Sequence, residues 1–106
     1  MNNQKLQELQ MLEQGLQNLL LQKQSFQMEF SETESALQAI EESGEEVFKI
    51  IGQLMIKTEK SKVKEELENK KKMIELRIKT METQETSVTE QLNKLREELM
   101  KTEKKE

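Results

Sequence analysis

The sequence lacks several residue types, and their absence limits what the protein can do. None of its 106 residues is Cys, His, Pro, Trp or Tyr, and three Phe are the only aromatic residues. Without His or Cys, the commonest general base, the thiol nucleophile and the soft metal ligands are missing. The three glycines are too far apart to form a phosphate-binding loop. We therefore predict no catalytic residue, no cofactor, no metal site and no enzyme activity.

Long apolar runs are missing as well. No stretch approaches the length needed to cross a membrane, and the first eight residues are too polar for a signal peptide. The lack of Cys is compatible with a reducing compartment. We expect a soluble cytoplasmic protein.

Charged residues make up 36% of the chain and hydrophobic residues only 33%. A compact domain of this length needs more large apolar residues, whereas long helices need to bury only a narrow stripe. Such a composition also occurs in disordered chains. The regular spacing of the apolar residues favours an ordered, mainly α protein.

That spacing predicts two coiled-coil helices, over 1–43 and 61–104, in a single domain spanning 1–106. In each, residues three and four apart form a seam with eight apolar members. Gly44 suits the left-handed position after the first helix, and Ser61 is predicted to cap the second. The first seam is Leu9, Leu12, Leu16, Leu19, Lys23, Phe26, Phe30, Thr33, Leu37 and Ile40. The second is Leu67, Lys71, Ile74, Ile78, Met81, Glu85, Val88, Leu92, Leu95, Leu99 and Thr102.

Between the helices, residues 46–59 change to the alternating pattern of a β-hairpin. Gly52-Gln53 fits a two-residue turn of type II′ or I′, which pairs Ile51 with Leu54 and Lys49 with Ile56. Both faces of this hairpin are largely apolar and both edges are unpaired, so alone it would aggregate. We predict that it assembles with hairpins of other chains into a β-barrel. The predicted assembly residues are Val47, Phe48, Ile50, Ile51, Leu54, Met55 and Ile56.

Two charged seam residues indicate how the helices pair. If the chain folds back as an antiparallel coiled coil, Lys23 and Glu85 reach the same level. Charges at a buried seam are costly unless they are paired, so this match favours the antiparallel register. Alternatively, both side chains extend to solvent independently.

Charge is unevenly distributed along the chain. Residues 1–46 contain two Lys and nine Glu, whereas 57–79 contain nine Lys or Arg and five Glu. The run Lys70-Lys71-Lys72 is compatible with nucleic-acid binding. A solvated helix face with Glu neighbours one turn away explains it more simply.

Some apolar residues lie outside the seam. Met11, Leu21 and Met28 fall at outward positions, and Leu20 flanks the stripe. Further apolar residues collect where both termini meet, about 50 Å from the hairpin by helix rise. Such a cluster is either ordinary surface or an adaptable binding site. The predicted binding residues are Leu6, Leu9, Met11, Leu12, Leu95, Leu99 and Met100.

A stretch in and after the hairpin is characteristic of one family. Residues 47–58 have an aromatic-Lys-x-x-Gly-x-Leu-apolar-apolar-Lys pattern, followed by Lys60–Leu67 and by Glu75-Leu76-Arg77-Ile78. With Leu20–Gln24 in the first helix, this resembles the prefoldin β subunits of archaea over the whole chain. The resemblance implies a hexamer of two α and four β subunits, built on a double β-barrel from which six coiled coils project.

The same resemblance implies an ATP-independent holdase, which binds unfolded proteins at the coiled-coil tips and passes them to a group II chaperonin. A structural adaptor that oligomerises through its hairpin and docks one fixed partner is the alternative. An adaptor should have a fixed charged or aromatic docking pattern, whereas a chaperone needs adaptable apolar groups. The Leu and Met cluster favours the chaperone. Nucleic-acid binding is a more distant third hypothesis.

Overall fold

The computed structural model describes the backbone of residues 3–105 and the side chains of residues 3–101. Helix α1 (Asn3–Glu41) leads into strand β1 (Glu46–Ile51), followed by β2 (Leu54–Glu59) and helix α2 (Lys60–Lys105). Leu, Gln, Glu and Lys favour helices, and no Pro interrupts either one. The predicted fold class of two long helices joined by an antiparallel hairpin is confirmed. Neither helix, over its described residues, is long and apolar enough to cross a membrane.

The seam of both helices is also as predicted. Every seam residue whose side chain is described is buried or half-buried, while Thr102 lies outside the described side chains. The most buried apolar residues are Ile40, Ile74, Leu92 and Leu95. Thr33 is only 3% exposed, and its hydroxyl donates to the Glu29 carbonyl at 2.8 Å. This bond satisfies a polar group that would otherwise weaken an apolar interface.

The described residues form two compact units. The termini unit comprises 3–25 with 78–105, and the hairpin unit comprises Phe26–Arg77. Each unit contains a segment of α1 and a segment of α2. Within each unit, ion pairs connect the two segments.

These ion pairs establish the direction of pairing. Within each unit, a later residue of α1 pairs with an earlier residue of α2, so the two helices are antiparallel. The pairs in the termini unit are Lys5–Glu98, Glu13–Arg96 and Lys23–Glu85. Those in the hairpin unit are Glu29–Lys70, Glu34–Lys71 and Glu41–Lys64.

The strands pair in the predicted register, with Ile51 opposite Leu54 and Lys49 opposite Ile56. Gly52 has φ 61° and is the only residue with positive φ in the described part of the chain. Gln53 therefore has negative φ, which fits a type II′ turn and excludes type I′. Glycine is required at position 52, because an L side chain in this conformation is strained.

Two predictions about the helix ends are wrong. Helix α1 ends at Glu41, and Gly44 does not adopt positive φ. Instead, the Ser43 hydroxyl donates to the Ile40 carbonyl at 2.7 Å. The Lys60 ammonium lies 3.1 Å from the carbonyl oxygens of both Glu41 and Ser43. A hydroxyl and a cation therefore satisfy the last carbonyls of α1 without a left-handed glycine.

Ser61 is not the cap of α2, because that helix begins one residue earlier at Lys60. Strand β2 ends at Glu59, so strand and helix follow each other without a loop. The backbone N–H of Lys60 donates to the Glu45 carbonyl at 3.2 Å. Lys60 thus closes the base of the hairpin, and Ser61 lies inside the first turn of the helix.

Candidate functional site

The hairpin exposes apolar side chains on both of its faces. Phe48, Ile50 and Met55 lie on one face, where Ile50 is 70% exposed. On the other face Ile51, Leu54 and Ile56 are exposed, while Val47, Lys49 and Thr58 are half-buried. Among the described residues the sheet consists of two strands, so neither edge is paired with a further strand there. All seven predicted assembly residues therefore lie on the hairpin, and six of them are exposed.

Polar contacts fix the hairpin in place without covering these faces. The Lys49 ammonium lies 2.7 Å from a Glu66 carboxylate oxygen of α2. Across the two strands, Lys57 lies 2.9 Å from Glu46. With Lys60 bonded to the end of α1, the hairpin is anchored at its base and at one face. Its apolar groups remain available for contact with another chain.

The junction of α1 and α2 next to the hairpin contains a close ion pair between Glu41 and Lys64. The hydrogen bond between their side chains, reinforced by their charges, lowers the pKa of Glu41. The same hydrogen bond raises the pKa of Lys64. Both shifts favour the charged forms, so the pair strengthens this junction while both groups are ionised.

The predicted pairing of Lys23 with Glu85 is confirmed. The Lys23 ammonium lies 2.8 Å from a Glu85 carboxylate oxygen, and both side chains are largely covered. This hydrogen bond raises the pKa of Lys23, against an opposing contribution from burial. Two opposite charges therefore share one layer of a seam that is mostly apolar. Each charge is the partner of the other. A register that separated Lys23 from Glu85 would leave two unpaired charges at the seam and is therefore disfavoured.

The predicted binding residues lie in the termini unit with different exposures. Leu6, Met11 and Met100 are exposed, and Met11 is the most exposed at 73%. Leu9, Leu12 and Leu99 are half-buried in the seam, and Leu95 is buried. Leu12 and Leu95 also line an open groove of about 300 Å³ between the two helices. Surface and seam residues are thus interleaved in this part of the helix pair.

Met11, Leu21 and Met28 are exposed as predicted, while Leu20, which was predicted to flank the stripe, is only 37% exposed. On α2, Met73 and Leu76 are also exposed, and the sequence interpretation missed them. Counting heptads from Leu67 places both away from the seam, so the signal for their exposure was present.

Two of the three lysines in the basic run on α2 lie near an acidic side chain of α1. Lys70 lies 3.6 Å from Glu29, and Lys71 lies 3.7 Å from Glu34. Lys71 also lies over the Phe30 ring, 5.5 Å from its centre. These contacts support the solvated-face interpretation of the run over the nucleic-acid one.

The geometry therefore offers apolar surface for contact with other chains. No group of three or more His, Cys, Asp or Glu in the described part of the chain is arranged to hold a metal ion. All buried side-chain nitrogen and oxygen atoms of the described residues have a hydrogen-bond partner.

Comparison with known proteins identifies the family. A family model described as "Prefoldin subunit" matches residues 3–106. The chain belongs to the prefoldin family. It is 39% identical to the prefoldin subunit beta of Pyrobaculum aerophilum over 81% of this chain and 70% of that protein. With the prefoldin subunit beta of Thermococcus onnurineus it shares 38% identity over 87% and 81% of the two chains.

A solved structure is similar throughout. The prefoldin beta subunit from Thermococcus strain KS-1 matches with a TM-score of 0.86 and 34% identity, over 92% of this chain and 88% of that one. The resemblance to prefoldin β subunits inferred from the hairpin motif is confirmed. The prefoldin family is a family of chaperone subunits.

Proposed function

We propose that this chain is the β-type subunit of a prefoldin hexamer with two α and four β subunits. Its hairpin joins those of the other subunits in a β-barrel and is covered on both faces there. The observation that carries this proposal is the exposure of Phe48, Ile50 and Met55 on one face and Ile51, Leu54 and Ile56 on the other. Exposed apolar surface on an unpaired two-stranded sheet favours association with further strands.

We further propose that residues 1–106 act as one domain of a cytoplasmic, ATP-independent holdase. The assembled subunits bind unfolded proteins and deliver them to a group II chaperonin. Client contact is assigned to the apolar residues of the termini unit. The exposed residues contact the client directly, and the seam residues pack beneath the exposed ones. The assigned residues are Leu6, Leu9, Met11, Leu12, Leu95, Leu99 and Met100.

The physical basis is the kind of ligand that an unfolded protein presents. Its apolar segments are irregular, so they are better matched by flexible side chains than by a shaped pocket. Leu6, Met11 and Met100 are exposed and surrounded by Gln, Glu and Lys, which keep the empty surface soluble, and the two methionines are especially flexible. One such contact is weak. Several helix pairs acting on one client raise the effective affinity by multivalency.

The test is suppression of aggregation of a chemically unfolded model protein, without ATP, by the chain assembled with its α subunit. Replacing Leu6, Met11 and Met100 together by Ser should abolish most of the suppression. The matched control replaces Leu21, Met28 and Met73, three other exposed apolar residues, by Ser and should retain it. Equal loss in both variants would place client binding elsewhere. Sedimentation should show that both variants remain assembled.

A further inference from the structure

Most methionines of this chain lie outside its buried seam. Of the seven Met, Met1 lies outside the described residues and Met81 is a half-buried seam residue. The other five are between 60% and 73% exposed. These are Met11, Met28, Met55, Met73 and Met100. In contrast, Leu, Ile, Val and Phe fill all of the remaining apolar seam positions.

Methionine sulfur is the only readily oxidised side-chain group in this chain. The chain has no Cys, Trp, Tyr or His, so peroxide has no competing reactive side chain there. The thioether sulfur attacks one peroxide oxygen, an S–O bond forms, and the O–O bond breaks. The sulfur loses two electrons, and the departing oxygen leaves as water. The product is methionine sulfoxide, which is polar where the parent side chain was apolar.

We propose that Met11 and Met100 are sites of reversible oxidation by peroxide that switches off client binding while leaving the paired helices intact. This inference rests on the proposed function, because both residues belong to the assigned client surface. The seam beside them is built from residues that peroxide does not attack, including Leu92 and Leu95. Oxidation therefore changes the binding surface and spares the helix interface. Enzymatic reduction of the sulfoxides restores the apolar surface.

The hairpin provides an internal reference for accessibility. Met55 is as exposed as Met28 in the isolated chain, at 67% and 66%. In the proposed barrel it is covered by other subunits. Peptide mass spectrometry of the peroxide-treated assembly should therefore find Met11, Met28, Met73 and Met100 oxidised sooner than Met55. Slow oxidation of Met11 or Met100 under these conditions would overturn the inference.

The functional test compares client capture by the full assembled protein before and after treatment with hydrogen peroxide. Capture by the protein with its original sequence should fall at least about threefold after treatment, as expected when two apolar contacts become polar. Methionine sulfoxide reductases should restore it. Circular dichroism should show unchanged helix content and little change in melting temperature.

Two variants make this test specific. Replacing Met11 and Met100 by Leu keeps the apolar surface without the oxidisable sulfur, so capture should survive peroxide. Replacing the same two residues by Gln should lower capture without any peroxide. The control, with Met28 and Met73 replaced by Leu, should remain sensitive. Loss of capture by the Met11→Leu, Met100→Leu variant after treatment would refute the inference. Absence of capture by the untreated protein would refute the proposed function itself and, with it, this inference.

Discussion

The helix pair buries the apolar residues of its seam within the chain, whereas the hairpin leaves nearly all of its own apolar residues exposed. Leu92 on α2 is 1% exposed, while Ile50 and Leu54 in the hairpin are 70% and 66% exposed. Both regions are regular secondary structure, with backbone groups paired along the helices and across the two strands. They differ in what they pack against. The helix seam packs within the same chain, whereas most apolar side chains of the hairpin are left uncovered by the described residues.

Apolar residues therefore have two different roles in this chain, which the overall apolar content does not distinguish. Apolar residues buried inside the chain stabilise the fold. Exposed apolar residues on a regular backbone are suited to contact another chain. The contrast predicts that seam substitutions act on folding of the chain and hairpin substitutions act on assembly.

The largest effect is expected in the hairpin. Replacing Ile51 or Ile56 by Asp should dissolve the oligomer, because burying an unpaired carboxylate between subunits costs several kcal/mol. Both residues are exposed in the chain, so the helices should remain folded. Analytical ultracentrifugation gives the mass and circular dichroism gives the helix content. Met73→Asp is the control for added charge, and an oligomer of unchanged mass in either hairpin variant would remove the distinction between the two regions.

The next effect concerns the seam. Leu92→Ala should lower the free energy of unfolding by about 2–5 kcal/mol, because the site is fully buried and a cavity remains. Leu21→Ala, at a site that is 65% exposed, should change it by less than about 0.5 kcal/mol. Denaturant titration of the full chain measures both values. Similar losses for the two variants would mean that the seam does not stabilise the fold.

A smaller effect is expected for the charged layer. Lys23→Glu and Glu85→Lys should each destabilise the termini unit by placing like charges in one seam layer. The double reversal should recover most of the loss, since it restores an opposite pair. The more exposed pair of Glu13 and Arg96, 3.3 Å apart, is the control and should show weaker coupling. A purely additive double mutant would show that Lys23 and Glu85 do not interact.

The smallest effect is a pH dependence of the hairpin junction. The folded-state pKa of Glu41 is lowered by its hydrogen bond to Lys64. Its stabilising contribution is therefore present above the unfolded value of 4.5 and is lost as pH falls through the folded value. Glu41→Gln should remove this part of the acid dependence of the unfolding free energy. Identical acid titrations of the variant and the original chain would contradict the assignment.

Most of the fold was predictable because it depends on periodicity. Spacings of three and four defined the seam, and the opposite charges of Lys23 and Glu85 defined its register. The ends of the helices were less predictable. Lys60, which binds the carbonyl of Glu41, is 19 residues away from it in sequence, and local capping rules cannot detect such a partner.

For the proposed binding residues, the sequence could predict the position on the helix but not the exact exposure. Heptad position distinguishes Met11, which points outward, from Leu95, which belongs to the seam. It does not determine how far a seam residue such as Leu12 is uncovered at an open groove. That depends on the separation of the helices and on neighbouring side chains. The stacking of Arg77 on Phe26, 5.6 Å from the ring centre, likewise depends on side-chain torsions that no sequence pattern specifies.

The contacts that Lys60 makes at the base of the hairpin also bear on the order in which the chain folds. Lys60 and Glu41 are 19 residues apart, whereas Arg96 and Glu13 are 83 apart. Closing the longer loop first costs about 1.3 kcal/mol more in chain entropy. We therefore expect pairing to start beside the turn and to proceed toward the termini, so that each new contact closes only a short additional loop. Folding rates would test this: a substitution at Lys60 should slow folding, and one at Arg96 should mainly accelerate unfolding.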